Sequence, residues 1–109
     1  MKNALRLLSL SLIVISISLT AFAESRAKTL KRADGEMRKA NFAEAENLYR
    51  QLIEKDSTDN IARLGLSFSL IKQIHLQEAY EQAAQVISTD PLNARAFALL
   101  GTALLRSGQ

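Results

Sequence analysis

The chain has 109 residues, of which 14 are Lys or Arg and 11 are Asp or Glu, giving a formal net charge of +3. It has no cysteine, which excludes disulfides, thiol catalysis and cysteine-type zinc sites, and a single histidine, which excludes metal sites that need two or more histidines from one chain. Without Lys2 and Arg6, which belong to a leader-like segment, 12 basic residues face 11 acidic ones, a balance that argues against a nucleic-acid-binding domain.

The N-terminal segment has the pattern of a secretory signal peptide. Two basic residues form its n-region, residues 7–19 form an apolar h-region, and Ala21-Phe22-Ala23 is an A-x-A cleavage site. We expect cleavage after Ala23, so that 1–23 is removed and a soluble chain, 24–109, remains in the periplasm or outside the cell, without stable membrane insertion. The alternative is a retained membrane anchor, but a spanning helix needs roughly 18 or more apolar residues and this run is shorter.

The mature chain is predicted to be helical, because its apolar residues recur at helical spacing and Gly and Pro are almost absent from the periodic segments. The pattern predicts helices at about 26–39, 43–55, 60–73, 77–89 and 94–107. The connections are short, which makes neighbouring helices antiparallel. Ser57 or Asp59 can cap the third helix and Asn93 the fifth, because their side-chain oxygens accept hydrogen bonds from N-terminal amides. Pro91 ends the fourth helix.

The helical pattern repeats itself at an offset of 34 residues. The offset superimposes Phe42 on Leu76, Ala45 on Ala79, Leu52 on Val86, Ile53 on Ile87 and Asp56 on Asp90. Self-similarity at this period is typical of stacked helical hairpins.

Each period also carries small residues and turns at matching places. The small residues are Ala33, Ser67 and Gly101 in the first helix of each unit, and Ala45 and Ala79 in the second. In these features residues 26–109 resemble the tetratricopeptide repeat family, with departures at Arg32, Ser57 and Ala83. The resemblance implies an all-α solenoid of antiparallel helix hairpins, with two full repeats, 26–59 and 60–93, and helix A of a third, 94–109. The alternative is an ordinary helical bundle with two similar hairpins.

The resemblance also implies a binding groove, because helix A of each repeat builds the concave wall of such arrays. The groove positions carried onto this chain are Leu30, Met37, Arg38, Leu64, Phe68, Ile71, Lys72, Arg95, Leu105 and Arg106. Three of the cations recur at the full period, and the apolar members would form a strip beside them. Such a groove suits a protein or peptide segment with apolar anchors and carboxylates. The alternatives are that the cations form a solvated face and that the strip is filled within the domain.

The fifth helix is apolar on nearly every side, whereas repeat arrays normally end in a polar capping helix. Two explanations compete: the chain is the N-terminal piece of a longer repeat protein, or another copy or a partner covers Phe97, Leu100 and Leu104.

We therefore expect an exported protein-protein interaction module without catalytic residues, metal or cofactor. Its only histidine, His75, falls in a turn, and the chain has no phosphate-binding loop. The alternatives are the N-terminal arm of a larger exported enzyme, such as a protease, and a homo-oligomerising structural spacer.

Overall fold

A computed structural model describes residues 2–108 of the chain, and this part is all α-helical, without a β-strand. Its five helices are α1 (Lys2–Arg38), α2 (Phe42–Lys55), α3 (Asn60–Lys72), α4 (Leu76–Thr89) and α5 (Ala94–Arg106). The ends of α2 to α5 lie within one residue of the predicted ends. The predicted all-α class is therefore confirmed.

The first helix differs from the prediction, because α1 includes the leader and continues unbroken to Arg38. No Gly or Pro interrupts the segment between the apolar run and Arg26, and the hydroxyl of Thr29 donates to the carbonyl oxygen of Ser25 at 3.0 Å. Residues 3–23 are exposed throughout and supply no member of the hydrophobic core. The core is therefore built from the repeats alone.

The leader part of α1 has a composition that is found both in signal sequences and in membrane-spanning helices. The helical stretch Asn3–Arg38 is long and apolar enough to cross a membrane, with a mean hydropathy of 2.0 in its most apolar window, and none of that window is buried. Signal sequences pass the same test of length and composition. The apolar N-terminal helix is therefore compatible with a signal sequence and with a membrane anchor, and the prediction that the run is too short to span a membrane is wrong.

The helices form two layers. Each helix packs against the next one along the chain, and α3 also contacts α1 and α5. No Cα atom of α2 comes within contact distance of α4 in the described part of the chain. The odd-numbered helices therefore lie side by side in one layer, with α3 in the centre, and α2 and α4 lie against them in the other.

Left-handed residues end the three helices of the first layer. Ala40 and Ile74 have φ of 63°, and Gly108 has φ of 81°. After α3, the N–H of His75 donates to the carbonyl oxygen of Leu70 at 2.9 Å, and the same backbone bond closes the turn at Ala40. This is the Schellman arrangement, which satisfies carbonyl groups that the helix end leaves free. The turns recur at the 34-residue period of the sequence.

Side-chain caps begin the later helices of the same layer. Asp59 Oδ1 accepts a hydrogen bond from the N–H of Ala62 at 3.2 Å, and Asn93 Oδ1 accepts one from the N–H of Ala96 at 2.9 Å. The predicted capping of α3 and α5 is confirmed. Ser25 stands one period before Asp59, but there the backbone is already inside α1.

Small side chains bring the two layers together. Ala33, Ala45, Ser67 and Ala79 are all completely buried. The hydroxyl of Ser67 donates to the carbonyl oxygen of Ala79 at 2.8 Å, so the backbone of α4 approaches α3 closely at this point. The larger core residues that fill the space around these contacts are Leu48, Tyr49, Leu52, Leu64, Leu66, Leu70, Ile71, Val86 and Leu99.

Candidate partner-binding surface

Three cations from the predicted groove are the last residues of their helices. Arg38 ends α1, Lys72 ends α3 and Arg106 ends α5, and all three are exposed. A cation in the last turn interacts favourably with the helix dipole, which accounts for a basic residue at each place. Within residues 2–108 none of the three forms an ion pair. Their charges therefore remain available to a ligand.

The remaining cation of the predicted groove lies elsewhere on the layer. Arg95 is exposed and belongs to the first turn of α5, whereas Arg106 ends that helix. The helical rise separates the two by about 16 Å along the axis. Arg38, Lys72 and Arg106 therefore lie at the C-terminal ends of their helices, whereas Arg95 lies at the N-terminal end of α5.

An aromatic ring accompanies one of the cations. The Nζ of Lys72 lies 5.4 Å from the centroid of the Phe68 ring, within the range of a cation–π interaction. Phe68 is half-buried and packs against the core with its other side. This pair combines a positive charge and an apolar surface within one turn of α3.

A buried phenol reaches the same layer from α2. The hydroxyl of Tyr49 donates to Asp34 Oδ1 at 2.6 Å, and the side chain of Tyr49 is almost completely buried. Burial raises the pKa of Tyr49, and the hydrogen bond to Asp34 raises it further, whereas the charges of Arg95 and Arg38 act in the lowering direction. Arg38 of α1 and Arg95 of α5 thus both affect the pKa of the Tyr49 hydroxyl.

The apolar members of the predicted groove do not form one exposed strip. Leu64 and Ile71 belong to the core and are 6% and 1% exposed, because α3 is flanked by helices on both sides in its layer. Leu30 and Met37 are half-buried against the core. Leu105, at the outer edge, is 81% exposed.

The accessible part of the predicted groove is therefore smaller and more polar than the sequence suggested. Its exposed members are Arg38, Lys72, Arg95, Leu105 and Arg106, and Phe68 is half-buried in the same way as Leu30 and Met37. Four of the exposed members are positive, which favours a ligand with carboxylate groups, and the exposed carboxylate of Asp34 on the same layer accepts a hydrogen bond from Tyr49.

Two carboxylates of the second layer, those of Glu46 and Glu78, are neutralised by one arginine. The guanidinium of Arg50 contacts Glu46 at 3.0 Å on its own helix and Glu78 at 2.5 Å on α4. Gln73 Nε2 donates to Glu46 Oε1 at 3.0 Å. The link from α2 to α4 was not predicted from the sequence, because it joins residues that are far apart in the chain.

A second feature that the sequence analysis missed is a buried arginine. Arg63 is 6% exposed and donates to Gln82 Oε1 and to the carbonyl oxygen of Ser57, both at 2.7 Å. Its Nε atom is buried and has no hydrogen-bond partner among the described residues. The available signal was a charged residue near the start of a largely apolar helix. This side chain connects α3, α4 and the loop before α3.

Groups suited to catalysis or metal binding are scattered. His75 is exposed in the turn before α4 and makes no side-chain capping bond. No group of three or more His, Cys, Asp or Glu side chains among residues 2–108 is arranged to hold a metal ion.

Comparison of the sequence with protein-family models gives no match, and a search of curated proteins finds no similar sequence. The functional assignment therefore depends on the repeat pattern and the geometry described above.

Proposed function

We propose that this chain is an exported protein-binding module of the tetratricopeptide type, which holds an acidic peptide or protein segment against the layer formed by α1, α3 and α5. The observation that carries the proposal is the set of three exposed cations, Arg38, Lys72 and Arg106, at matching helix ends. Glu46 and Glu78 of the second layer share the cationic partner Arg50, whereas the three groove cations form no ion pair among residues 2–108.

The repeat assignment has support from the backbone as well as from the side-chain pattern. The left-handed turns at Ala40, Ile74 and Gly108 and the caps at Asp59 and Asn93 recur at the same period. In an ordinary helical bundle with two similar hairpins, we would not expect both the caps at the helix starts and the turns at the helix ends to recur at one period. The tetratricopeptide type is therefore our preferred interpretation of the helical layers.

Export is proposed because the leader lies outside the domain that it precedes. Residues 3–23 are exposed and contribute nothing to the core, so that the packing of the repeats does not require them. Cleavage after Ala23 would leave the repeats in the periplasm or the medium. The mass of the exported protein tests this point: a chain that keeps its leader would be a membrane-anchored module instead.

The binding proposal is tested with a series of peptides in which carboxylates are added stepwise to one apolar scaffold. We expect affinity to rise with each carboxylate and to weaken as salt is added. The triple variant R38E/K72E/R106E removes the three ion pairs that these cations would form with carboxylates of the bound peptide. Each exposed pair is worth roughly 0.2–1 kcal/mol, so the affinity for the peptide should fall by about 3- to 150-fold.

A matched control separates the surface from net charge. The variant K31E/K39E/K55E changes the charge by the same amount at three exposed lysines outside the groove positions, and Lys55 is also the last residue of its helix. It should bind the acidic peptides nearly as well as the parent chain. Equal losses in both triple variants would mean that the peptides respond only to overall charge, and the proposal would be abandoned.

A further inference from the structure

We propose that the acidic segment held by the groove cations is extended, in the polyproline II conformation, and carries a carboxylate at every third residue. The cations concerned, Arg38, Lys72 and Arg106, are called the cation row below. The inference rests on the proposed function, because it gives the spacing and the conformation of the ligand of that same surface. The ligand would cross α1, α3 and α5 in turn.

The members of the cation row occupy equivalent places on neighbouring helices. They are 34 residues apart in the sequence, and each is the last residue of its helix. The three helices lie side by side, with α3 in the centre. Axes of packed helices are about 8–10 Å apart. Successive charges of the row are therefore expected about 8–10 Å apart, on a line across the helix axes.

Two side chains of the cation row fold back over their own helices. Lys72 Nζ lies 5.4 Å from the centroid of the Phe68 ring, one turn earlier in α3. Arg38 Nη2 lies 3.8 Å from the place that a Cβ atom at Gly35 would take, also one turn earlier. Long side chains of helices generally lean toward the preceding turn, and we expect the same of Arg106. The distance between the charges is therefore set mainly by the spacing of the helices.

This distance distinguishes between the regular conformations of a bound peptide. Polyproline II has three residues per turn and rises 3.1 Å per residue, so every third side chain lies on one face, about 9 Å from the last. Side chains on one face of a β-strand are about 7 or 13 Å apart, and those on one face of an α-helix are about 6 or 10.5 Å apart. The polyproline II spacing is the one that falls within about 8–10 Å.

The surroundings of the row favour its centre over its α1 end. Phe68, beside Lys72, offers an aromatic ring to an apolar residue of the ligand. One turn before Arg38, the corresponding residue is Asp34, whose exposed carboxylate accepts a hydrogen bond from the Tyr49 hydroxyl at 2.6 Å. This negative charge opposes that of Arg38. We therefore expect the central carboxylate of the ligand, with an apolar residue next to it, to be the best-bound part.

Three peptides of equal length and composition test the spacing. Each carries three glutamates, placed at every second, every third or every seventh position. The peptide with a glutamate at every third position should bind about 2- to 30-fold more tightly than the others, because each of those would lose two of the three exposed ion pairs. Tightest binding of either other peptide would overturn the inference.

The same peptides separate this inference from the proposed function. Equal binding of all three peptides, weakened in each case by R38E/K72E/R106E, would mean that the cations bind carboxylates without regard to their spacing. The inference would then fail while the proposed function stands. If the triple variant weakens the binding of none of the peptides, the proposed function fails as well.

Reversal of one charge pair tests the alignment of ligand and row. Because α3 is the central helix, Lys72 should meet the central glutamate whichever way the peptide runs. Lys72→Glu changes an exposed residue and should lower the affinity for the parent peptide at least 1.4- to 5-fold, an estimate of about one exposed ion pair. A peptide with lysine at the central position should then bind this variant more tightly than peptides with lysine at either end.

Lys55→Glu is the matched control for this reversal. Lys55 is exposed and ends α2, outside the cation row, so its variant should show no preference for the peptide with the central lysine. Equal binding of the three lysine peptides to Lys72→Glu would mean that the surface responds to net charge alone, and the inference would be overturned.

Discussion

The ring of Tyr49 lies directly on the backbone of Gly65. A Cβ atom at Gly65 would stand 2.5 Å from Tyr49 Cζ and 2.8 Å from Cδ1, closer than real Cβ contacts. One period later the corresponding residues are Ala83 and Leu99, both buried. The large and small residues are thus exchanged between corresponding positions of the two pairs of helices, and the repeat predicts that a similar total volume fills both places.

The first prediction concerns Gly65. Gly65→Ala should destabilise the chain by about 1–3 kcal/mol through overpacking, which exceeds the roughly 1 kcal/mol that alanine contributes as a better helix former. Urea unfolding measures the difference. Gly101→Ala is the matched control, because its methyl group would meet nothing within 4 Å, and it should stabilise the chain by about 1 kcal/mol. Stabilisation by both substitutions would contradict the close contact with Tyr49.

The second prediction tests the volume exchange. Tyr49→Ala removes a buried ring and should cost about 3–5 kcal/mol, and Gly65→Leu alone should be severely overpacked. Together they reproduce the arrangement of Ala83 and Leu99. The double variant should therefore be more stable than the sum of the single changes indicates, with a coupling of about 0.5–3 kcal/mol. Strict additivity in urea unfolding would show that the two contacts are not equivalent.

The third prediction concerns the turn after α3. Ile74 has φ of 63° although it is β-branched, and its side chain is 72% exposed. Left-handed backbone is unfavourable for such a residue by roughly 1–2 kcal/mol, and burial of the side chain offsets little of this. Ile74→Gly should raise the free energy of unfolding by about 1 kcal/mol.

Leu92→Gly provides the comparison for this turn. Leu92 is also an exposed aliphatic residue in a connection, but its φ is not positive. Glycine there should lower stability by about 0.4–1 kcal/mol, because it adds only freedom to the unfolded chain. Two changes of the same sign would argue against strain at Ile74.

The fourth prediction concerns acid stability. The guanidinium of Arg26 forms two hydrogen bonds with the carboxylate of Asp59, at 2.7 and 2.9 Å, and chiefly this interaction lowers the pKa of Asp59. The carboxylate of Asp59 therefore binds a proton more readily in the unfolded chain than in the folded chain. The contribution to stability is present above an unfolded pKa of about 3.9 and is lost as pH falls through the lower folded value.

Asp59→Asn should retain the cap, as Asn93 does at α5, and remove the ion pair. We expect a loss of about 1–3 kcal/mol at pH 7 and a smaller loss at pH 3, measured by urea unfolding. Glu54→Gln, at an exposed acid without an ion pair among residues 2–108, should change neither value appreciably. An Asp59 variant with the same loss at both pH values would exclude the carboxylate as the source.

The helices after the leader could be predicted from sequence because their limits are set locally. Pro91 marks the end of α4 and Asn93 marks the start of α5. Because the pattern repeats every 34 residues, a helix limit in one unit also predicts the corresponding limit in the next unit. Continuity of α1 could not be predicted in this way. The motif around Ala23 predicts a cleavage site, and it contains no residue that prevents a helix.

The exposure of a side chain in the candidate groove depends on how many helices lie beside its own helix, and its position within the repeat does not give that number. Met37, Ile71 and Leu105 occupy the same place in successive units. Met37 is half-buried, Ile71 is 1% exposed and Leu105 is 81% exposed. The residue types are similar, and what differs is the number of helices beside each one. The period identifies the position, whereas burial follows from its place in the array.

The unbroken course of α1 gives leader removal a structural consequence. Cleavage after Ala23 would place a new chain end one residue before Ser25, in register with the caps Asp59 and Asn93. The amides of the new first turn would lose their acceptors, and the Ser25 hydroxyl could accept from the N–H of Lys28.

Ser25→Ala should therefore destabilise the processed chain by about 1 kcal/mol and leave the unprocessed chain unchanged, as measured by thermal unfolding of both forms. Equal effects in both forms would contradict a cap that arises on cleavage. Processing would then separate the repeats from the leader part of α1, with which they share one continuous helix. All three helices of the first layer would then start with a side-chain cap.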